Sequence, residues 1–280
     1  MKTLIIGVGL IGGSFALSLR EQGLCDEVLG CDTSAENSAE AVRRGLIDRA
    51  VSIDEGLAVA DLIVLAAPVD KIPLLATKIL NKVTDAQVVM DMGSTKSELC
   101  EIVSMHRRRG RLVATHPMWG TEYSGPQAAV EGAFKGRKVV LCDIDKSDRD
   151  AVELVEKIYE KIGMPIVYMS PEEHDLHTAY VSHISHITSF ALALTVLEKE
   201  RESQHIFDLA GGGFESTVRL AKSSASTWIP ILMQNKYNVL DVLREHIHQL
   251  QIMRVMIERD DVEGLRESMS RANSIQKILE

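Results

Sequence analysis

Seven short apolar runs mark the first 170 residues: TLIIGV (3–8), EVLGCD (27–32), DLIVLAAP (61–68), AQVVMDMG (86–93), RLVATH (111–116), KVVLCD (138–143) and PIVYM (165–169). They are rich in Val, Ile and Leu, and most show no polar alternation. A strand with one wet face alternates apolar and polar residues, whereas an unbroken apolar run fits a strand covered on both faces. Helix-length amphipathic segments separate the runs. This alternation predicts a parallel sheet with helices on both sides.

The texture changes near 168–171. SPEEHD carries the signals of a helix start, with Ser170 as N-cap, Pro171 at the first helical position and Glu173 closing a capping box. From there to Glu280 long helical patterns dominate, broken by LAGGGFES (209–216) and by Trp228–Pro230. Two domains are therefore expected: an α/β domain over 1–169 and an all-α domain over 170–280. A helical piece with several apolar faces often packs on a second copy of itself, so a homodimer is expected.

The first apolar run ends in Gly7, Gly9 and Gly12, spaced G-x-G-x-x-G and followed by the amphipathic segment SFALSLREQG. Asp32 ends the next run, 20 residues beyond Gly12. A strand, a glycine turn, a helix start and a later acid form the context of a dinucleotide site in a doubly wound, Rossmann-type sheet. Glycines let the backbone approach a pyrophosphate, and the helix N-terminus offers unpaired N–H groups. Asp32 would accept from the ribose hydroxyls and repel a 2′-phosphate. Thr33 and Ser34 offer no arginine to hold one, so NAD is expected over NADP. The cofactor set is Gly7, Gly9, Leu10, Ile11, Gly12 and Asp32, with Ala67 and Pro68 at another strand end. Ligands of such sheets sit beyond the carboxyl ends of the strands. That rule gathers Ala67, Pro68, Ser94 and His116 into one candidate cleft.

Bulk composition narrows the partners. The chain has 280 residues, 45% hydrophobic and 25% charged, with a formal net charge of −9. That balance disfavours nucleic acid and anionic membranes as partners. The N-terminal apolar stretch is peppered with glycine and lacks a cleavage site, and no apolar run approaches the ~20 residues of a membrane span. Four scattered cysteines, Cys25, Cys31, Cys100 and Cys142, suit a reducing, cytoplasmic setting.

His116 ends a strand at the cleft. A neutral imidazole, with an ordinary pKa of about 6.5, suits acceptance of a proton while a hydride leaves for a nicotinamide. The plain alternative is a histidine that caps a turn. Ser94 could orient the imidazole or a substrate hydroxyl, N-cap the helix TKSELCEIV, or do both. His174, His177, His183 and His186 lie in one helical pattern. At about 100° per residue the first two face away from the last two, so no metal site is expected. Arg219 could clamp a carboxylate through two parallel hydrogen bonds, or be a solvated surface cation. HRRRGR (106–111) reads as a solvated helix end.

Together GVGLIGGS (7–14), DMGSTK (91–96), HPMWGTEYSG (116–125), SHISH (182–186) and GGGFESTVRLA (211–221) resemble the prephenate dehydrogenase family over nearly the whole chain. The resemblance implies NAD-dependent oxidative decarboxylation of prephenate to 4-hydroxyphenylpyruvate in tyrosine synthesis. It implies that His116 accepts a hydrogen bond from the substrate's C4 hydroxyl, that Ser94 orients this group and that Arg219 clamps a carboxylate. Glu122 would lie at the cleft mouth paired with a cation, and His174, His183 and His186 would line or border the substrate pocket. It also implies a dimer through the helical domain and, with the chain ending at Glu280, no fused regulatory or chorismate mutase domain. Arogenate, the amino analogue, stays open as the substrate, and a non-catalytic NAD-binding sensor is the more distant alternative. Trp119 stands where many relatives have alanine and is expected to narrow the pocket or cover the cofactor. Glu215 and Ser216 replace a basic–acidic pair, which leaves open how Arg219 is held.

Overall fold

In the computed structural model, which describes residues 1–202 and 204–278, one sheet of eight strands organises the N-terminal part. The strands are β1 (Lys2–Ile6), β2 (Glu27–Cys31), β3 (Arg49–Ala50), β4 (Leu62–Leu65), β5 (Val88–Asp91), β6 (Leu112–Pro117), β7 (Val139–Cys142) and β8 (Ile166–Met169). Seven of them are the apolar runs. The two residues of β3 are both exposed, so no apolar run marks it. The order β3-β2-β1-β4-β5-β6-β7-β8 reverses direction between β1 and β4, which opens a crevice at their carboxyl ends.

Six strands run parallel, but β7 pairs antiparallel with β6. The all-parallel expectation fails there for a physical reason. A parallel return needs a crossover that carries the chain back along the sheet. Between β6 and β7 the chain forms only a short 3-10 turn, Pro126–Ala128, so it comes straight back alongside. β8 then pairs parallel with β7, after a crossover helix.

Helices α1 (Leu10–Glu21), α2 (Ala35–Arg43), α3 (Ile53–Leu57), α4 (Ile72–Leu80), α5 (Ser97–Val103) and α6 (Arg149–Ile162) fill the connections. Two apolar layers result, one on each face of the sheet. Phe15, Phe134 and Tyr159 anchor the first. Ile72, Ala76, Leu80, Leu99 and Val103 of α4 and α5 anchor the second. HRRRGR lies beyond the end of α5 and is only partly solvated, with Arg107 exposed. Arg109 and Arg111 are buried staples: Arg109 donates to Leu112 O at 2.7 Å, and Arg111 donates to Gln87 O and pairs with Asp148 and Asp150.

Beyond β8, Ser170 and Glu173 form the expected capping box at the start of α7 (Pro171–Thr178). One wide π turn, Ala179–His183, joins it to α8 (Ile184–Glu202). Then follow α9 (Gly212–Val218) and α10 (Ala225–Gln234). The expected breaks shift. Gly211 is itself an N-cap, and α10 runs through Trp228–Pro230. Pro230 removes its own N–H bond and crowds the carbonyl of Ser226 one turn back, but its fixed φ is compatible with a helix. Contacts divide the chain into two compact units, Met1–Asn235 and Lys236–Glu280. The second holds α11 (Lys236–Glu258) and α12 (Val262–Asn273), with Asp261 capping α12 through the N–H of Gly264.

Candidate active site

The glycine loop leaves β1 along a path that only glycine can take. Gly7 has φ +99°, and a Cβ there would lie 2.4 Å from Ala66 O. A Cβ on Gly12 would lie 2.0 Å from Gly7 O. At Gly9 the space is open, with nothing within 4 Å of a Cβ. Gly9 is the N-cap of α1 and has no side chain to close it, so the first N–H groups, from Leu10 and Ile11 onward, lack a side-chain cap. An uncapped helix start behind an open glycine fits an anionic diphosphate. Asp32 stands beside this loop at the end of β2. It is held there by Val8 N at 3.1 Å and Ser34 N at 2.9 Å. Ala67 and Pro68 follow β4, across the crevice from the loop, with Pro68 exposed.

His116 ends β6 one residue before Pro117 and keeps part of its surface accessible. Its Nδ1 lies 2.7 Å from Nε2 of His174. Its Nε2 has no hydrogen-bond partner among the described residues. His174 is 0% exposed. It sits behind His116 with no surface of its own. Its Nδ1 is 2.8 Å from Asp175 Oδ1. Asp175 also accepts from the backbone N–H groups of Lys96 (2.8 Å) and Ser97 (2.9 Å), at the start of α5. A carboxylate on α7 thus caps α5. Ser94 is not that cap, because the helix begins two residues later than the pattern TKSELCEIV suggested. The Ser94 hydroxyl, half-buried beyond β5, has no hydrogen-bond partner among the described residues.

Beside this chain the Lys96 ammonium pairs with Asp91 at the end of β5, and both side chains are fully buried. Asp91 also accepts from Thr115 N at 2.9 Å and Gly93 N at 2.8 Å. The residue before His116 is thereby tied to the neighbouring strand. Burial holds the His116 pKa well below its ordinary value, and the charges of His174 and Lys96 push the same way. Burial lowers His174 as well, against the pull of Asp175. Burial alone would raise Asp175, but its hydrogen bonds from His174 and Ser97 outweigh that and hold it low. At neutral pH the cluster is two neutral imidazoles and one carboxylate.

The π turn decides where the other histidines fall. In a straight α-helix His174 and His183 would face opposite sides. One wide turn adds about one residue, a rotation of about 100°, and swings His183 back toward the side of His174. Asn235 bridges the result. Its Nδ2 lies 2.6 Å from Asp175 O and 3.2 Å from His183 Nδ1. Burial lowers the His183 pKa to about 4. The ring of Trp228 stacks on His186 at 3.4 Å and meets His183 edge-on at 5.9 Å. Burial lowers His186 too, and the charge of Arg219 adds to this.

Arg219, at the end of α9, reaches across to Glu122 at 3.1 Å. This supplies the expected cation for Glu122 and the hold on Arg219 that the Glu215–Ser216 departure left open. Glu215 turns to Lys222 instead, at 3.9 Å. An open groove of about 610 Å³, lined by Glu122, Tyr123, Gln127 and Lys222, lies beside the pair. Trp119 packs edge-on against Phe134 at 5.3 Å, on the core layer of Phe15 and Tyr159, and so anchors the chain where it leaves β6.

Sequence reasoning missed Asp175, Lys96, Trp228 and Asn235. Asp175 had a signal, since it adjoins His174 in EEHDLH, but the motif reads first as a helix start. Trp228 is one of only two tryptophans. Lys96 and Asn235 carry no local sign of burial.

Known proteins match over most of the chain. A family model described as the nucleotide-binding domain of prephenate dehydrogenase matches residues 15–168, and one described as its dimerization domain matches 170–271. The prephenate dehydrogenase of Bacillus subtilis is 32% identical over 94% of this chain and 71% of its own length. That of Lactococcus lactis is 30% identical over 100% of this chain and 77% of its own. The crystal structure of prephenate dehydrogenase from A. aeolicus, in complex with hydroxyphenyl propionate and NAD+, superposes with a TM-score of 0.91 at 32% identity, covering 100% of this chain and 98% of that one. The chain belongs to the prephenate dehydrogenase family.

Proposed function

We propose that the protein oxidises and decarboxylates prephenate to 4-hydroxyphenylpyruvate with NAD, a step of tyrosine synthesis. The observation that carries this reading is a neutral, half-buried His116, with a free Nε2, on the sheet edge that also bears the glycine loop. The names of the relatives support it. Gly7, Gly9, Leu10, Ile11 and Gly12 hold the diphosphate, Asp32 accepts from the ribose hydroxyls, and Ala67 and Pro68 border the site. When bound, NAD supplies the hydride acceptor. His116 Nε2 takes the proton of the C4 hydroxyl as C4 is oxidised, and Ser94 orients that hydroxyl. The ring carboxylate leaves as carbon dioxide, and the ring becomes aromatic. Arg219 holds a substrate carboxylate and orients it. His186 and Trp228 border the ring pocket, with the buried His183 and His174 behind them.

The reading extends to two domains, 1–169 for the cofactor and 170–280 for substrate and dimerisation, and to a cytoplasmic homodimer that binds neither nucleic acid nor membrane. The helical stretch Pro171–Glu202 is long and apolar enough by composition for a bilayer. Its exposed Val181, Leu194 and Leu197 suit a partner helix equally well, as do Leu240, Ile247, Leu250 and Ile257 of α11. The description of the second family model as a dimerization domain favours the partner. The test offers the purified protein prephenate and arogenate, each with NAD and with NADP, and follows nicotinamide reduction. Turnover of prephenate with NAD is expected. No signal in all four mixtures overturns the enzyme reading, and a preference for NADP overturns the role of Asp32.

A further inference from the structure

We propose that Asp175 and His174 are positioning residues that fix the tautomer of His116 through one chain of hydrogen bonds. The proposal rests on His116 as the proton acceptor. An ionised carboxylate can only accept. Asp175 Oδ1 lies 2.8 Å from His174 Nδ1, so that nitrogen carries the hydrogen. A neutral imidazole carries one hydrogen, which leaves His174 Nε2 with a lone pair. That lone pair faces His116 Nδ1 across 2.7 Å, so Nδ1 is the donor. The single hydrogen of His116 is then on Nδ1, and Nε2 presents its lone pair outward. The opposite tautomer of either ring would set two hydrogens or two lone pairs against each other inside the protein.

The anchor of the chain cannot turn over. Asp175 accepts from Lys96 N, Ser97 N and His174, all donors. Its own carbonyl accepts from Asn235 at 2.6 Å, and the carbonyl of His174 accepts from Thr178 at 2.9 Å. His174 has no exposed surface. Free histidine favours a hydrogen on Nε2, which would present a donor where an acceptor is needed. The carboxylate selects the other form. During turnover the C4 O–H bond breaks and an N–H bond forms at His116 Nε2. The Nδ1 hydrogen can then pass to His174 Nε2, which leaves His116 neutral and places the positive charge against Asp175. One proton enters the chain, and none is lost.

The test begins with the wild-type protein carrying ¹⁵N-histidine, read by NMR at neutral pH. Both His116 and His174 are expected with hydrogen on Nδ1. A His116 with hydrogen on Nε2 overturns the proposal without any variant having to fold. Asp175→Asn can present its amide as a donor. The His116 tautomer is expected to shift or become mixed, and kcat to fall about 10²–10⁴-fold, with the KM for NAD unchanged; the matching change in the Ser-His-Asp triad costs about 10⁴-fold. His174→Gln, whose carbonyl can still accept from His116 Nδ1, is expected to keep far more of the rate than His174→Phe. Equal losses in these two, with the His116 tautomer unchanged, overturn the proposal. If His116→Asn keeps normal turnover, the proton-acceptor reading fails, and the NMR signals still judge the chain. If His116→Asn is inactive while Asp175→Asn and His174→Phe run at the wild-type rate, the positioning fails alone.

Discussion

Behind His116, Lys96 and Asp91 meet with no exposed surface on either side chain, while beyond the end of β6 Arg219 meets Glu122 with 52% of its own side chain in solvent. Both are ion pairs near one cleft, yet their surroundings make them different devices. Water screens the outer pair, so making or losing it changes little. The inner pair is sealed among backbone donors, and leaving one partner uncompensated is costly. The inner pair is thus built to hold its geometry; in the proposed function, Arg219 exchanges Glu122 for a substrate carboxylate.

Four experiments probe that contrast. The largest effect is expected at the reacting atom: His116→Asn lowers kcat about 10²–10⁴-fold, with the fold and NAD affinity intact. Near-normal turnover would remove His116 from the chemistry. Lys96→Met comes next. It strands Asp91 in the interior and is expected to lower stability by about 3–5 kcal/mol in chemical denaturation, whereas Glu122→Gln barely moves the melting temperature. Comparable shifts in the two variants would erase the distinction between the regions.

Acid should also separate them. Burial depresses the pKa of His183 to about 4, and those of His116, His174 and His186 also lie below 6.5. The unfolded chain therefore takes up protons before the folded one does. The stability of the neutral histidines is present above pH 6.5 and is lost as pH falls toward 4. His183 alone accounts for up to about 3 kcal/mol over that window. His183→Gln should flatten this loss in pH-dependent unfolding. A hydrogen bond from its own backbone and the charge of Arg219 hold Glu122 below its ordinary value, so it stays ionised to lower pH than a free glutamate. The smallest effect is expected at Arg219→Lys, where a point charge replaces a two-pronged donor. The KM for prephenate should rise on the order of tenfold, with the KM for NAD unchanged. A change in the NAD constant instead would place Arg219 at the cofactor.

What was legible in the chain differs between the same two regions. The cofactor side was written locally: the G-x-G-x-x-G spacing, the strand before it and Asp32 after it sit within 32 residues. The catalytic bed was only half legible. HPMWGTEYSG pointed to His116, but its partner lies 58 residues away and on another element. The resemblance gave His174 a place at the pocket, and helical phase, counted as if the helix were straight, set His183 and His186 on the opposite side. The π turn broke that count. Arg109 and Arg111 looked solvated because three consecutive arginines usually are, and only the acceptors on Gln87, Leu112, Asp148 and Asp150 make their burial tolerable.

The sequence by itself determined seven of the eight strands, the glycine loop and the capping box at Ser170. Each depends on periodicity or on neighbours within a few residues, where steric limits and hydrogen-bond geometry act directly. Only the tertiary structure decided that β7 runs against β6, that His183 turns back toward His174, and that Asp175 both caps α5 and anchors the histidine chain. Those outcomes depend on which polar groups find partners once water is excluded. Asp175 meets Lys96 and Ser97 from 79 and 78 residues away, a separation that no periodic pattern encodes.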